Sequence, residues 1–140
     1  MNLLVPIDDS DPARAAIEHA VTTFPDADIT VLHVVDPETA MYRTDAPFNF
    51  ERLLDIEEEK AETLVESARE IAEERGHDGS LTTEIVIGDP VRTIVSFAED
   101  HGIDQIVVGS HGRSGVSRML LGSVAEQVVR RASMPVTVAR

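Results

Sequence analysis

Five short runs of strand character punctuate this chain, and segments of helical periodicity separate them. Residues 2–7 form a strand-like run, continuously apolar from Leu3 to Ile7, that stops at Asp8 and Asp9. Such a run suits a strand buried on both faces. Ser10 or Asp11 caps the helix that follows, with Pro12 near its first position, where a missing N–H costs nothing. Ile17, Ala20, Val21 and Phe24 supply the apolar stripe of that helix, and Pro25 ends it. Residues 29–35 are the second run. A long helix over residues 53–75 carries Leu54, Ala61, Leu64, Val65, Ala68, Ile71 and Ala72 on one face and stops at Gly76. Residues 81–87 are the third, alternating in part between apolar and polar. Asp89 and Pro90 then read as N-cap and first position of a helix with Val91, Ile94, Val95 and Ala98 on its stripe, ended by Gly102. Residues 103–108 are the fourth run, a helix starts at Ser123, and residues 136–139 close the chain as a last strand. Strands that alternate with helices predict βαβ crossovers and a parallel sheet with helices on both faces. Right-handed crossovers put a ligand cleft outside the carboxyl ends of the strands.

At 140 residues the chain reads as one domain, residues 1–140, with 42% apolar residues to build its core. It has no cysteine, which excludes disulfides and thiolate metal sites. No run approaches the roughly 18 apolar residues of a membrane span. The first apolar run is broken by Pro6 and lacks a basic flank, so it is not a signal peptide, and a cytoplasmic location is expected. A net charge of −14 makes nucleic acid and anionic membranes poor partners. Lys60 is the single lysine, beside 11 arginines. This acid-rich, lysine-poor surface points to a salt-adapted, halophilic cytoplasm. Glu58, Glu62, Glu66, Glu70 and Glu74 stand four apart and read as a solvated face of the long helix. Residues 36–50, with Pro37 and Pro47, form a long connection whose Met41, Tyr42, Phe48 and Phe50 suggest a segment folded back over the body. His33, inside the second run, reads as a packed core residue.

Chemistry concentrates between the fourth strand and the last helix. Gly109, Gly112 and Gly115 follow the strand, and Gly122 stands directly before Ser123. Ser110, His111, Arg113, Ser114, Ser117 and Arg118 interleave them. Glycines let a ligand approach the backbone. A helix N-terminus presents free N–H groups and a positive dipole end to an anion, above all phosphate. The charge map agrees: residues 105–140 hold five arginines and one acid, Glu126, whereas residues 1–104 hold 25 acids. An anionic ligand is repelled by most of this surface and drawn to one corner.

The two-part spacing, Gly109-x-x-Gly112, nine residues, then Gly122-Ser123, resembles the nucleotide-binding signature of universal stress proteins. The likeness runs from the opening Leu-Leu-Val-Pro-Ile-Asp to the closing Pro-Val-Thr-Val. It implies a Rossmann-like α/β fold of the adenine nucleotide alpha hydrolase type, with strand order 3-2-1-4-5. It implies bound ATP, with Pro6, Ile7 and Asp8 after the first strand and Val34 meeting the base through its backbone. Val108, Gly109 and Gly112 would line the ribose and first phosphates, and Gly122, Ser123 and Val124 the terminal ones. His111 and Arg113 could reach phosphate from the loop. The resemblance also implies a homodimer through the last strand, a two-fold contact of one sheet edge with its copy.

The chain has no Gly-x-x-x-x-Gly-Lys-[Ser/Thr] stretch, and no base stands clearly placed to activate water. Binding without efficient turnover, as in a dimeric regulator of a stress response, is therefore the reading. Slow hydrolysis would need Mg²⁺ or Mn²⁺. Two rivals remain. One is a nucleotide-free structural dimer of the same fold. The other is a phospho-receiver, suggested by Asp8-Asp9, although Lys60 is far from the end of strand five, where that chemistry needs a lysine.

Overall fold

The computed structural model describes residues 1–8, 11–38, 50–110 and 121–140. Its elements follow in the order β1 (Asn2–Pro6), α1 (Asp11–Thr23), β2 (Asp28–Val35), α2 (Phe50–Glu74), β3 (Leu81–Ile87), α3 (Pro90–Asp100), β4 (Gln105–Gly109), α4 (Ser123–Arg131) and β5 (Val136–Ala139). The five strands make one sheet in the order β3-β2-β1-β4-β5, every neighbouring pair parallel. This is the order that the resemblance implied. It removes the phospho-receiver, whose flavodoxin-like order 2-1-3-4-5 puts the third strand between the first and fourth.

Alternation along the central strands feeds two cores. Leu3, Val5 and Ile7 face Ala16, Ile17 and Val21 of α1 and Val65, Ala68 and Ile71 of α2. Leu4, Leu32, Ile106 and Val108 face Val91, Ile94 and Ala98 of α3 and Ala125 and Val128 of α4. Strand β1 is covered on both faces, which is why its sequence is an unbroken apolar run.

Local chemistry sets most boundaries where the sequence puts them. Gly76 ends α2 with a φ of +68°, a left-handed turn that other residues rarely adopt. Helix α2 begins at Phe50, three residues before the predicted start, with Glu51 in its first turn, where a carboxylate is favoured by the dipole. The rest of the expected long connection, including Met41, Tyr42 and Phe48, lies outside the described residues. Strand β4 begins later than predicted. The Ile103 N–H is taken by the Ala98 carbonyl (3.0 Å) and the Asp104 N–H by that of Asn2 (2.8 Å), so neither joins a ladder with β5. At the opposite end of the sheet from the candidate cleft, the Asp28 carboxylate accepts from the Ser80 hydroxyl at 2.8 Å and the Ser80 amide at 3.3 Å. Those bonds hold its carboxyl below the usual carboxylate range.

The glutamates spaced four apart on α2 are all exposed. Each such neighbouring pair repels by about 0.2–0.5 kcal/mol, and salt screens the repulsion. Arg69 relieves it at the surface through an ion pair of 3.5 Å to Glu66, while Arg75 pairs instead with Glu18 of α1. The melting temperature is therefore expected to climb steadily from dilute buffer to molar KCl. A flat profile by circular dichroism would reject electrostatic strain as a term in the stability of this fold.

Candidate functional site

The sheet gathers the candidate residues at the carboxyl ends of its central strands. β1 lies between β2 and β4, with Leu4 paired to Thr30 on one side and Ile106 on the other. Where β1 stops, the Ile7 N–H donates to the Leu32 carbonyl at 2.9 Å, so the exit of β1 runs beside β2. Pro6 and Ile7 are buried, while Asp8 and, on β2, Val34 are half-buried. On the other flank, Val108 and Gly109 are buried at the end of β4. Two strand exits thus meet at the point where the chain departs from β1 in one direction and β4 in the other, the topological switch point of such a sheet.

Residues 111–120, and with them the predicted His111, Gly112 and Arg113, lie outside the described residues. The two flanks of that stretch are nevertheless tied to each other. The Ser110 N–H donates to the Ala139 carbonyl of β5 at 2.8 Å, and the Ser110 carbonyl accepts from the Gly122 N–H at 2.7 Å. Ser110 is 5% exposed, the buried polar residue among those described. Gly122 is also buried, whereas Ser123 and Val124 are exposed. The start of α4 is thereby fixed directly over the end of β4.

Of the helices that begin at this edge of the sheet, α3 and α4 have first turns that differ in kind. Asp89 caps α3 with its own carboxylate, which accepts from the Arg92 N–H at 3.0 Å. That N-terminus already holds a negative charge. Helix α4 starts from Gly122, at φ −65° and ψ 158°, with no side-chain cap. Its first intrahelical bond runs from the Glu126 N–H to the Gly122 carbonyl at 2.9 Å. The N–H groups of Ser123, Val124 and Ala125 precede that bond and have no intrahelical acceptor. Glycine at the cap leaves them open where Asp89 closes the equivalent place on α3. Glu126, the acid in the first turn of α4, is paired to Arg130 at 2.9 Å. The arrangement suits an anion that supplies several acceptor oxygens to one helix end.

Among the described residues no cluster of three or more His, Asp or Glu side chains could hold a metal ion. Nor is any described helix long and apolar enough to cross a membrane. Sequence reading placed Ser123 as cap or first-turn residue of α4; the structure makes it the first-turn residue and Gly122 the cap. It missed two ties. One is the double main-chain role of Ser110, which was visible only as one of several polar residues among glycines. The other concerns His33, read as core packing. It is half-buried, and its ring bonds the Ile7 carbonyl at 2.8 Å. Neither has a local signal, because both depend on which strands become neighbours.

A family model described as the universal stress protein family matches residues 1–140. A universal stress protein of Methanocaldococcus jannaschii, MJ0531, is 34% identical over 140 residues, covering 99% of this chain and 81% of that one. Among solved structures, the universal stress protein UspA from Lactobacillus plantarum aligns with a TM-score of 0.84 at 33% identity, covering 100% of this chain and 97% of the other. The structure of MJ0577, also from Methanocaldococcus jannaschii, aligns with a TM-score of 0.83 at 31% identity, over 99% and 94% of the two chains. Two more distant structures share the fold: one in complex with cAMP, at 24% identity and TM-score 0.66, and one from Archaeoglobus fulgidus in complex with dAMP, at 21% and 0.68.

Proposed function

We propose, on the premise that this chain belongs to the universal stress protein family, that it binds ATP in the cleft between the ends of β1 and β4. One observation carries this reading. The uncapped first turn of α4 is held over the end of β4 by the bond from Gly122 to Ser110, on the side where β1 delivers Asp8. Asp8 accepts from ribose hydroxyls or the base amine, and Val34 meets the base through its main chain. Val108 and Gly109 line the sugar and the first phosphates. Gly122, Ser123 and Val124 meet the terminal phosphates: Ser123 and Val124 through N–H groups that no helical carbonyl claims, and Gly122, whose own N–H is given to Ser110, by leaving the cap open to the ligand. The predicted contributions of His111, Gly112 and Arg113 would come from the segment between. Mg²⁺ or Mn²⁺ would accompany the phosphates and balance their charge.

In this reading the protein is a nucleotide-dependent regulator in the cytoplasm, which turns ATP over slowly or not at all. It acts as a homodimer. Strand β5 forms one edge of the sheet. Its Val136, Thr137 and Val138 are half-buried, and a second copy pairing there would cover them.

The test is direct. The chain has one Tyr and no Trp, so nucleotide carried through purification adds conspicuous absorbance at 260 nm. Mass spectrometry is expected to identify it as an adenine nucleotide, and sedimentation to give about twice 15.3 kDa. A dimer with no calorimetric heat on adding ATP, with or without divalent metal, would leave the nucleotide-free structural dimer as the function.

A further inference from the structure

We propose that His33 is a positioning residue that sets the chain direction at the adenosine end of the cleft, an inference that rests on the nucleotide reading above. Its Nδ1 lies 2.8 Å from the carbonyl oxygen of Ile7. A carbonyl oxygen only accepts, so Nδ1 carries the hydrogen and donates it. The Leu32 carbonyl accepts from the Ile7 N–H at 2.9 Å. Consecutive residues of β2 therefore hold both main-chain polar groups of Ile7, Leu32 through its backbone and His33 through its ring.

The second of these bonds acts where the sheet no longer does. Strand β1 closes at Pro6. The peptide group between Ile7 and Asp8 lies past the ladder, and the imidazole anchors its oxygen. That same peptide group contains the Asp8 N–H, and the Asp8 side chain leaves from the next α-carbon. Its aim in the cleft is therefore set by the plane that His33 fixes. On the other side, His33 directly precedes Val34. One side chain thus ties together the two strand ends whose residues meet the sugar and the base in the proposed complex.

Packing alone does not account for this histidine. The β2 side chains that fill the core are those of Ile29, Val31, Leu32 and Val35, all buried. His33 is half-buried and spends its donor on an oxygen 26 residues away in sequence. Removing it would leave the Ile7 oxygen without that donor in a site that excludes much of the water, the costly way to lose a hydrogen bond.

The experiment compares the full chain with His33→Leu, which keeps bulk, His33→Ala, which adds none, and His33→Asn, whose side-chain amide nitrogen sits one bond from Cγ, as Nδ1 does. Amide hydrogen exchange is read without ligand, and calorimetry is run with ATP and with inorganic tripolyphosphate. In the Leu and Ala variants, exchange at Ile7 and Asp8 is expected to rise roughly tenfold, and ATP to bind roughly tenfold more weakly. Tripolyphosphate, which lacks the sugar and base, is expected to bind all variants alike, and His33→Asn to recover most of both losses. Unchanged exchange at Ile7 and Asp8 in whichever donor-free variant folds would overturn the proposal. So would ATP binding that is unaffected, or weakened only in parallel with tripolyphosphate. If the unaltered protein binds no ATP, the nucleotide reading falls and this role falls with it; if it binds ATP and the variants match it, only the role of His33 falls.

Discussion

Gly122→Leu is expected to weaken ATP binding by at least about 100-fold, or roughly 2.7 kcal/mol, while leaving the fold in place. The backbone at Gly122 has φ −65° and ψ 158°, extended values that any residue adopts. Its tie to Ser110 uses the main-chain N–H, which leucine also has. Backbone strain therefore cannot explain a loss of binding. What changes is access: a branched side chain would stand at the cap of α4, whose first turn has no side-chain cap. Calorimetry with ATP, beside circular dichroism melting of the same samples, separates the two effects. A variant that melts like the unaltered protein and still binds ATP with undiminished affinity would remove the first turn of α4 from the site.

The second large effect concerns stability and needs no ligand. Gly79→Ala is expected to cost about 3 kcal/mol and to lower the melting temperature by about 10 °C. A β-carbon on Gly79 would penetrate the carbonyl oxygen of Ala27 and lie 2.8 Å from its carbonyl carbon. These are main-chain atoms in a tight crossing: the N–H groups of Asp78 and Gly79 both donate to the Pro25 carbonyl, at 3.1 and 3.2 Å. A flexible side chain could swing aside, but this is a main-chain carbonyl directly before β2, which the His77 ring also bonds at 2.9 Å. Melting within a degree or two of the unaltered protein would show that the crossing is looser than its hydrogen bonds indicate.

Gly79 also marks the limit of what the chain reveals before it folds. Elements whose ends are decided by near neighbours were legible. Asp89 and Pro90 start α3 as their types require, Gly76 stops α2, and the β-branched runs became strands. The positions of Gly109 at the end of β4 and of Gly122 before α4 were legible too, because a strand end and a helix start adjoin them in sequence. The contacts that escaped join distant segments. Gly79 meets Ala27, His33 reaches Ile7, and Ser110 bonds Ala139 only once β2 lies between β1 and β3 and β5 lies beside β4. The late start of β4 has the same origin, since the Asp104 amide is claimed by Asn2, a residue at the other end of the chain. Residue type and spacing cannot supply these pairings; sheet order does.

Ser110 holds the penultimate residue of the chain with its amide and the root of α4 with its carbonyl. A rigid two-way clasp of this kind transmits force. Should two copies zip together along their terminal strands, any shift at that seam pulls on the same residue that seats the cap of α4. Thermodynamic reciprocity then demands the reverse: whatever fills the cleft must alter how firmly the copies cling to one another, by an equal free energy. Assembly and occupancy would be two readings of one clasp.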